Sequence, residues 1–132
     1  MQNRPKKHLN YTKEDIEEFL IRFKKLVNNR QFIISQNTKR MDNRKILQKY
    51  HINNKKQQEM LLSIQVSDFC YSVDNEKNIN ERLYIFLKDY ELDNWGILEK
   101  ITLYIKIVIK QESYTVIISF HEPKKLIKKL FI

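Results

Sequence analysis

Glycine, cysteine and proline are nearly missing from this chain of 132 residues: one Gly, one Cys and two Pro. A single glycine, Gly96, excludes the glycine-rich phosphate loops of P-loop and dinucleotide-binding enzymes, which need several. A single cysteine, Cys70, excludes an intramolecular disulfide and any multi-cysteine zinc site. The three histidines, His8, His51 and His121, match no metal-binding spacing, so neither a metal nor a cofactor is expected. No apolar run approaches the ~20 residues that cross a bilayer. The basic opening, Met1 to Lys7, is followed by no apolar stretch, so a cytoplasmic protein with no membrane partner is expected.

What is abundant is charge and aromatic side chains. Lys and Arg number 25 against 16 Asp and Glu, a net charge of +9, and 7 Phe, 7 Tyr and 1 Trp are present. At 42% hydrophobic residues the chain is long enough for one core and too short for two. A disordered basic tail lacks such residues. The charge is uneven: net +8 over residues 1–50, −3 over 51–100 and +4 over 101–132. Basic ends around an acidic middle suit a polyanionic partner, although a solvated surface gives the same balance.

Residues 1–11 show no period and are expected to form a flexible basic arm, leaving 12–132 as a single domain. Thr12 is placed to cap a helix whose first turn is acidic. Ile16, Phe19, Leu20, Phe23, Leu26 and Val27 recur at helical spacing, and Asn28-Asn29 ends the run. Residues 31–35 read as a short strand. A second helix is expected from Asp42 to about Tyr50, and a third from Lys55 to about Gln65 with Met60, Leu61 and Ile64 inward. From Ser67 the period becomes two. Residues 68–73 alternate, 74–80 read as a polar loop, 82–87 as a strand and 93–96 as a turn. Residues 101–110 and 114–120 are the clearest strands, rich in β-branched side chains. Helices first and an antiparallel meander after them predict an α+β domain, with N-terminal helices packed on a C-terminal antiparallel sheet.

The last hairpin is where chemistry is expected. A two-residue loop at Gln111-Glu112 would put Leu103, Ile105, Ile107 and Ile109 on one face with Tyr114, Val116, Ile118 and Phe120. The other face would then carry Tyr104 across from Ser119, Thr102 across from His121, and Lys106 beside Ile117. A phenol, an ammonium, a hydroxyl and an imidazole together suit RNA cleavage through the 2′-hydroxyl, which needs a base, an acid and cations near the phosphorane. The same polar row also suits the wet side of any half-exposed sheet.

Three stretches resemble the MqsR family of toxin–antitoxin ribonucleases. They are Leu61-Leu62-Ser63-Ile64-Gln65-Val66-Ser67-Asp68-Phe69, Leu103-Tyr104-Ile105-Lys106-Ile107 and Ile118-Ser119-Phe120-His121-Glu122. Tyr-x-Lys followed by Ser-Phe-His at hairpin spacing is the most specific, and the likeness runs from about residue 12 to 125. The resemblance implies a RelE-like fold, metal-independent cleavage of mRNA on or off the ribosome, and neutralisation by a cognate antitoxin. Tyr104 matches the family's active-site tyrosine. His121 stands where the best-known members have lysine, Tyr71 occupies another lysine position, and Glu81 aligns with a glutamine. The catalytic set expected is therefore His121 as acid or base, Tyr104 orienting the phosphate, Lys106 or Arg82 stabilising charge, with Glu81 and Tyr71 beside them.

Lys39, Arg40, Arg44 and Lys45, with Lys124 and Lys125, are the expected RNA contacts; a solvated helix face is the plainer reading of the first four. Trp95 and Tyr84 are expected to cap the core rather than stack on bases, and His51 only to close a helix end. Cys70 reads as an inert, half-buried thiol. The amphipathic end, Pro123 to Ile132, is expected to pack on the helices or on a partner such as an antitoxin or a second copy. Two rival readings remain: an inactive RNA- or ribosome-binding module, and a basic inhibitor protein of phage or mobile-element origin.

Overall fold

A computed structural model describes residues 6–131. Helix α1 spans Lys13–Asn28, with Thr12 accepting from the Asp15 backbone while the Asp15 carboxylate accepts from the Thr12 N–H. The six apolar positions read from its period are the six that are buried. Strand β2 (Phe32–Ile34) and a 3-10 turn (Thr38–Arg40) lead into α2 (Met41–Lys49), and α3 (Asn54–Leu62) follows. The last helix stops earlier than expected, but Ile64 beyond its end is still buried. Then come β3 (Phe69–Asn75), β4 (Asn78–Asn94), β5 (Ile97–Lys110) and β6 (Tyr114–His121).

The class is α+β, as expected, but the sheet is mixed. Its six strands, counting β1 (Lys7–His8), lie in the order β1-β3-β4-β5-β6-β2. The meander β3 to β6 is antiparallel, whereas β2 runs parallel to β6 at the edge. That pairing joins segments about 80 residues apart, which no local period reports. Residues 1–5 of the expected arm lie outside the described residues. The rest of the arm is not free: β1 pairs with β3, and the Tyr11 ring meets Phe69 edge-on at 5.3 Å. The expected loop 74–80 is instead a tight turn at Glu76-Lys77, flanked by paired Asn75 and Asn78.

Each face of the sheet carries its own apolar cluster. The helices cover the larger one, where Phe23, Phe69, Phe86, Leu103, Ile105 and Phe120 are fully buried. The outer face carries Cys70, Tyr71, Val73, Leu83, Ile85, Leu87 and Val108. Cys70 sits at a register shift between Phe69 and Tyr71, so the expected alternation fails here and the thiol is fully buried. Burial pushes that thiol up to about 11.

The C-terminal segment forms no helix. It crosses the end of the sheet as a strap: Ile127 packs on the outer cluster, Leu130 and Phe131 on the main core, and the Leu130 N–H donates to the Phe69 carbonyl at 2.8 Å. Leu126 stays 95% exposed. The buried carboxylate of Asp68 ties the strap down by accepting from both Lys129 and Lys88 at 3.3 Å. No helix among the described residues is long and apolar enough to cross a membrane.

Candidate functional site

The chemistry of the last hairpin depends on its register, and that register is two residues away from the expected one. Gln111 and Glu112 both take left-handed backbone (φ 51° and 55°), and the Ser113 N–H closes the turn on the Lys110 carbonyl. Lys110 therefore pairs with Tyr114, so three residues, not two, connect the strands. A bulge at Ile118 shifts the pairing once more, between Lys106 and Ile107. Beyond it Tyr104 lies opposite His121, Ile105 opposite Phe120 and Lys106 opposite Ser119. Thr115, Ile117 and Phe120 face the helices, while Val116 and Ile118, expected inside, pack on the outer cluster.

A buried amide holds the bulge. Asn43 on α2, fully buried, donates to the carbonyls of Ser35 and Ile118 and accepts from the Phe120 N–H at 2.7 Å. This one side chain satisfies three main-chain groups from β6 and the segment after β2, and so fixes the stretch that presents Ser119 and His121. Its polarity inside an amphipathic helix was the only signal, and sequence reasoning passed over it.

Tyr104 and His121 are stacked, ring centroids 5.5 Å apart and planes inclined by 18°. The Nδ1 of His121 lies 2.8 Å from the carbonyl of Glu122. A carbonyl only accepts, so Nδ1 carries the proton, and whenever the ring has a lone pair to offer it is the one on Nε2. The Lys106 ammonium stands 6.0 Å from the centre of the Tyr104 ring. Arg40, Lys106, Ser119, Lys124, Lys125 and Ile127 complete a cleft of about 300 Å³ with these two rings.

The cleft is electropositive. Burial, and then the nearby Arg40 and Lys125, lower the Lys106 ammonium from its ordinary value. Among the described residues no carboxylate pairs with Arg40, Lys106 or Lys125. Lys124 differs, since Asp42 holds it at 2.7 Å, a contact that lowers the Asp42 carboxyl. Burial, joined by the neighbouring Tyr71, raises the Tyr104 phenol, so it remains a neutral donor across the working pH range. Tyr71 is raised by burial as well, and the Lys7 ammonium of β1 lies 4.6 Å from its ring centre. That cation, delivered by the arm, was not expected.

Two of the expected catalytic residues are elsewhere. Arg82 lies on the helix side of the sheet, donating to the Tyr11 hydroxyl at 3.0 Å; its even parity on β4, shared with Tyr84 and Phe86, turns it from the cleft. Glu81 does share the outer face, but it sits toward the other end of β4, where Lys110 binds it at 2.7 Å and Asn75 at 3.0 Å. Of the expected RNA contacts, Arg40, Lys124 and Lys125 line the cleft; Lys39, Arg44 and Lys45 do not. Arg44 instead leans on the Met41 sulfur at 3.9 Å.

The aromatics divide. Tyr84 stacks on Phe19 at 3.9 Å and belongs to the core, whereas Trp95, expected to cap it, is 82% exposed, its ring edge-on to His51 at 4.7 Å. Trp95 and Gly96 both have positive φ (52° and 89°), the turn that a two-residue hairpin demands, and this lifts the indole off the sheet. Among the described residues no three His, Cys, Asp or Glu converge as metal ligands would. No family model matches the chain, and no curated protein sequence matches it.

Proposed function

We propose that this protein is an endoribonuclease that cleaves mRNA by 2′-hydroxyl attack without a metal, as the toxin of a toxin–antitoxin pair. The observation that carries the reading is the stacked Tyr104–His121 pair inside a cleft walled by three cations that no carboxylate among the described residues neutralises. Such a cleft selects an anion, and the groups within it are those that transesterification needs. His121 Nε2 takes the 2′-hydroxyl proton as the oxygen attacks phosphorus. Arg40 and Lys125 hold the phosphoryl oxygens, and the Tyr104 phenol donates to one of them. The Lys106 ammonium, made more acidic by its surroundings, protonates the departing 5′ oxygen as the P–O bond breaks. The products are a 2′,3′-cyclic phosphate and a 5′-hydroxyl.

Resemblance of residues 61–69, 103–107 and 118–122 to MqsR toxins supports the rest: a RelE-like scaffold, action in the cytoplasm on mRNA, and restraint by a cognate antitoxin. The test is incubation of purified protein with a long single-stranded RNA in EDTA, beside His121→Ala and Tyr104→Phe. Site-limited cutting by the wild type, lost or reduced at least a hundredfold in His121→Ala, supports the assignment. Cutting that survives both substitutions unchanged sinks it. RNA bound by every form and cut by none points to the inactive binding module instead.

A further inference from the structure

The outer face holds a second concavity that the cleavage chemistry does not use. This groove, of about 420 Å³, runs from the 3-10 turn before α2 to the β3–β4 turn. It shares Arg40 and Lys106 with the candidate cleft, so the two are continuous across those side chains. Its floor is aliphatic, built from Leu83, Val108, Val116 and Ile118. At its rim stands Asn37, whose Oδ1 already accepts from the Lys39 N–H at 3.0 Å. The Asn37 amide nitrogen has no partner among the described residues. The far end carries both signs of charge, Asp74 and Glu76 with Lys77 and Lys110.

From this arrangement we infer that the groove is a base-binding subsite, which takes the nucleobase next to the cleaved phosphate of a single-stranded RNA. The argument is one of charge and shape. A phosphate is drawn to the Arg40–Lys106 end, whereas the polar groups farther along are already engaged: Asp74 Oδ1 lies 2.9 Å from His8 Nε2, and Lys110 holds Glu81 at 2.7 Å, so the apolar floor between them suits an uncharged group. An aliphatic floor buries the face of a flat ring, and a free amide N–H₂ at the rim donates to an acceptor on the ring's edge. Unpaired RNA offers both, one backbone bond from the phosphate. A duplex does not, because its bases are stacked and paired.

The inference rests on RNA occupying the cleft, and its test separates the two. Isoleucine and valine methyl NMR spectra are recorded while a short single-stranded RNA is added, blocked by a 2′-deoxy sugar at the attacking position. The same strand lacking the base at the adjoining position is titrated in parallel. The expected result is shifts at Val108, Val116 and Ile118 with the intact strand, and their disappearance with the abasic one while the cleft resonances still respond. Cleft shifts without groove shifts overturn the subsite and leave the ribonuclease reading standing. No response to any RNA overturns both. Groove shifts in a protein that never cuts RNA leave the subsite intact and remove only the chemistry.

A second measurement uses Asn37→Asp, which keeps the side-chain cap of the 3-10 turn but presents an acceptor in place of the donor. The base preferred beside the cut should change, with the ratio of rates on two matched substrates moving roughly tenfold. An unchanged ratio overturns the role of Asn37.

Discussion

Replacing Asn43 with alanine tests the link between the helices and the site. The amide is fully buried and makes three bonds, to Ser35 O, Ile118 O and Phe120 N–H. Truncation leaves all three main-chain groups without their partner. Each buried orphan costs about 1–3 kcal/mol, and partial relaxation or entering water reduces the total, so a loss of about 3–5 kcal/mol is expected. Against a total stability of about 5–15 kcal/mol this is large, and for a chain of this size it lowers Tm by roughly 10–20 °C. The assay is urea unfolding followed by far-UV circular dichroism, with Arg44→Ala on the same helix as a control expected within about 0.5 kcal/mol of wild type. A loss below about 1 kcal/mol for Asn43→Ala refutes the claim that this side chain pins the bulge. The Phe120 amide gives a second readout, because its hydrogen exchange should accelerate more than that of Ile105 across the strand pair.

Lys106→Met should raise Tm while weakening RNA binding, because burial and the nearby Arg40 and Lys125 oppose the charge that the site requires. The same cause sets a pH dependence. The folded ammonium loses its proton at lower pH than the unfolded one, so in the window between those two values the unfolded chain binds more protons and stability rises with pH. RNA binding, which needs the proton, falls over that window, and Lys106→Arg should restore it; titration of an RNA oligonucleotide at successive alkaline pH values checks both. Arg82→Ala should lower stability through its lost bond to Tyr11 and leave the turnover rate for RNA cleavage within about twofold, a result that a role at the phosphate would contradict. Native Cys70, buried and pushed up to about 11, should resist iodoacetamide at pH 8 and react once urea unfolds the protein, as followed by mass spectrometry.

The candidate site was legible in part. Tyr104, Lys106 and His121 stand out because polar side chains interrupt the outward row of a β-branched hairpin, and period two keeps them out of the main core. Arg82 was misplaced because period two sorts residues into two faces without saying which face a distant strand shares with them. Glu81 was on the correct face at the wrong end, a matter of how far β4 extends before it turns. Lys7 and Asn37 come from segments with no period at all, and nothing short of the assembled sheet brings them to the outer face.

The sequence by itself determined the elements whose causes are local. The capping box at Thr12 and Asp15, the helical stripe from Ile16 to Val27 and the β-branched runs of β5 and β6 form as their side chains dictate, because each signal is complete within a few turns or one strand. Only the tertiary structure decided the pairings that span the chain: β2 alongside β6, β1 on β3, and the strap from His121 back to Phe69. It also decided the register at the cleft, which a three-residue turn and a one-residue bulge held by a helix amide together move from Tyr104–Ser119 to Tyr104–His121. The free energy of such contacts depends on which distant groups must be satisfied or buried together, and no window of neighbouring residues contains that information.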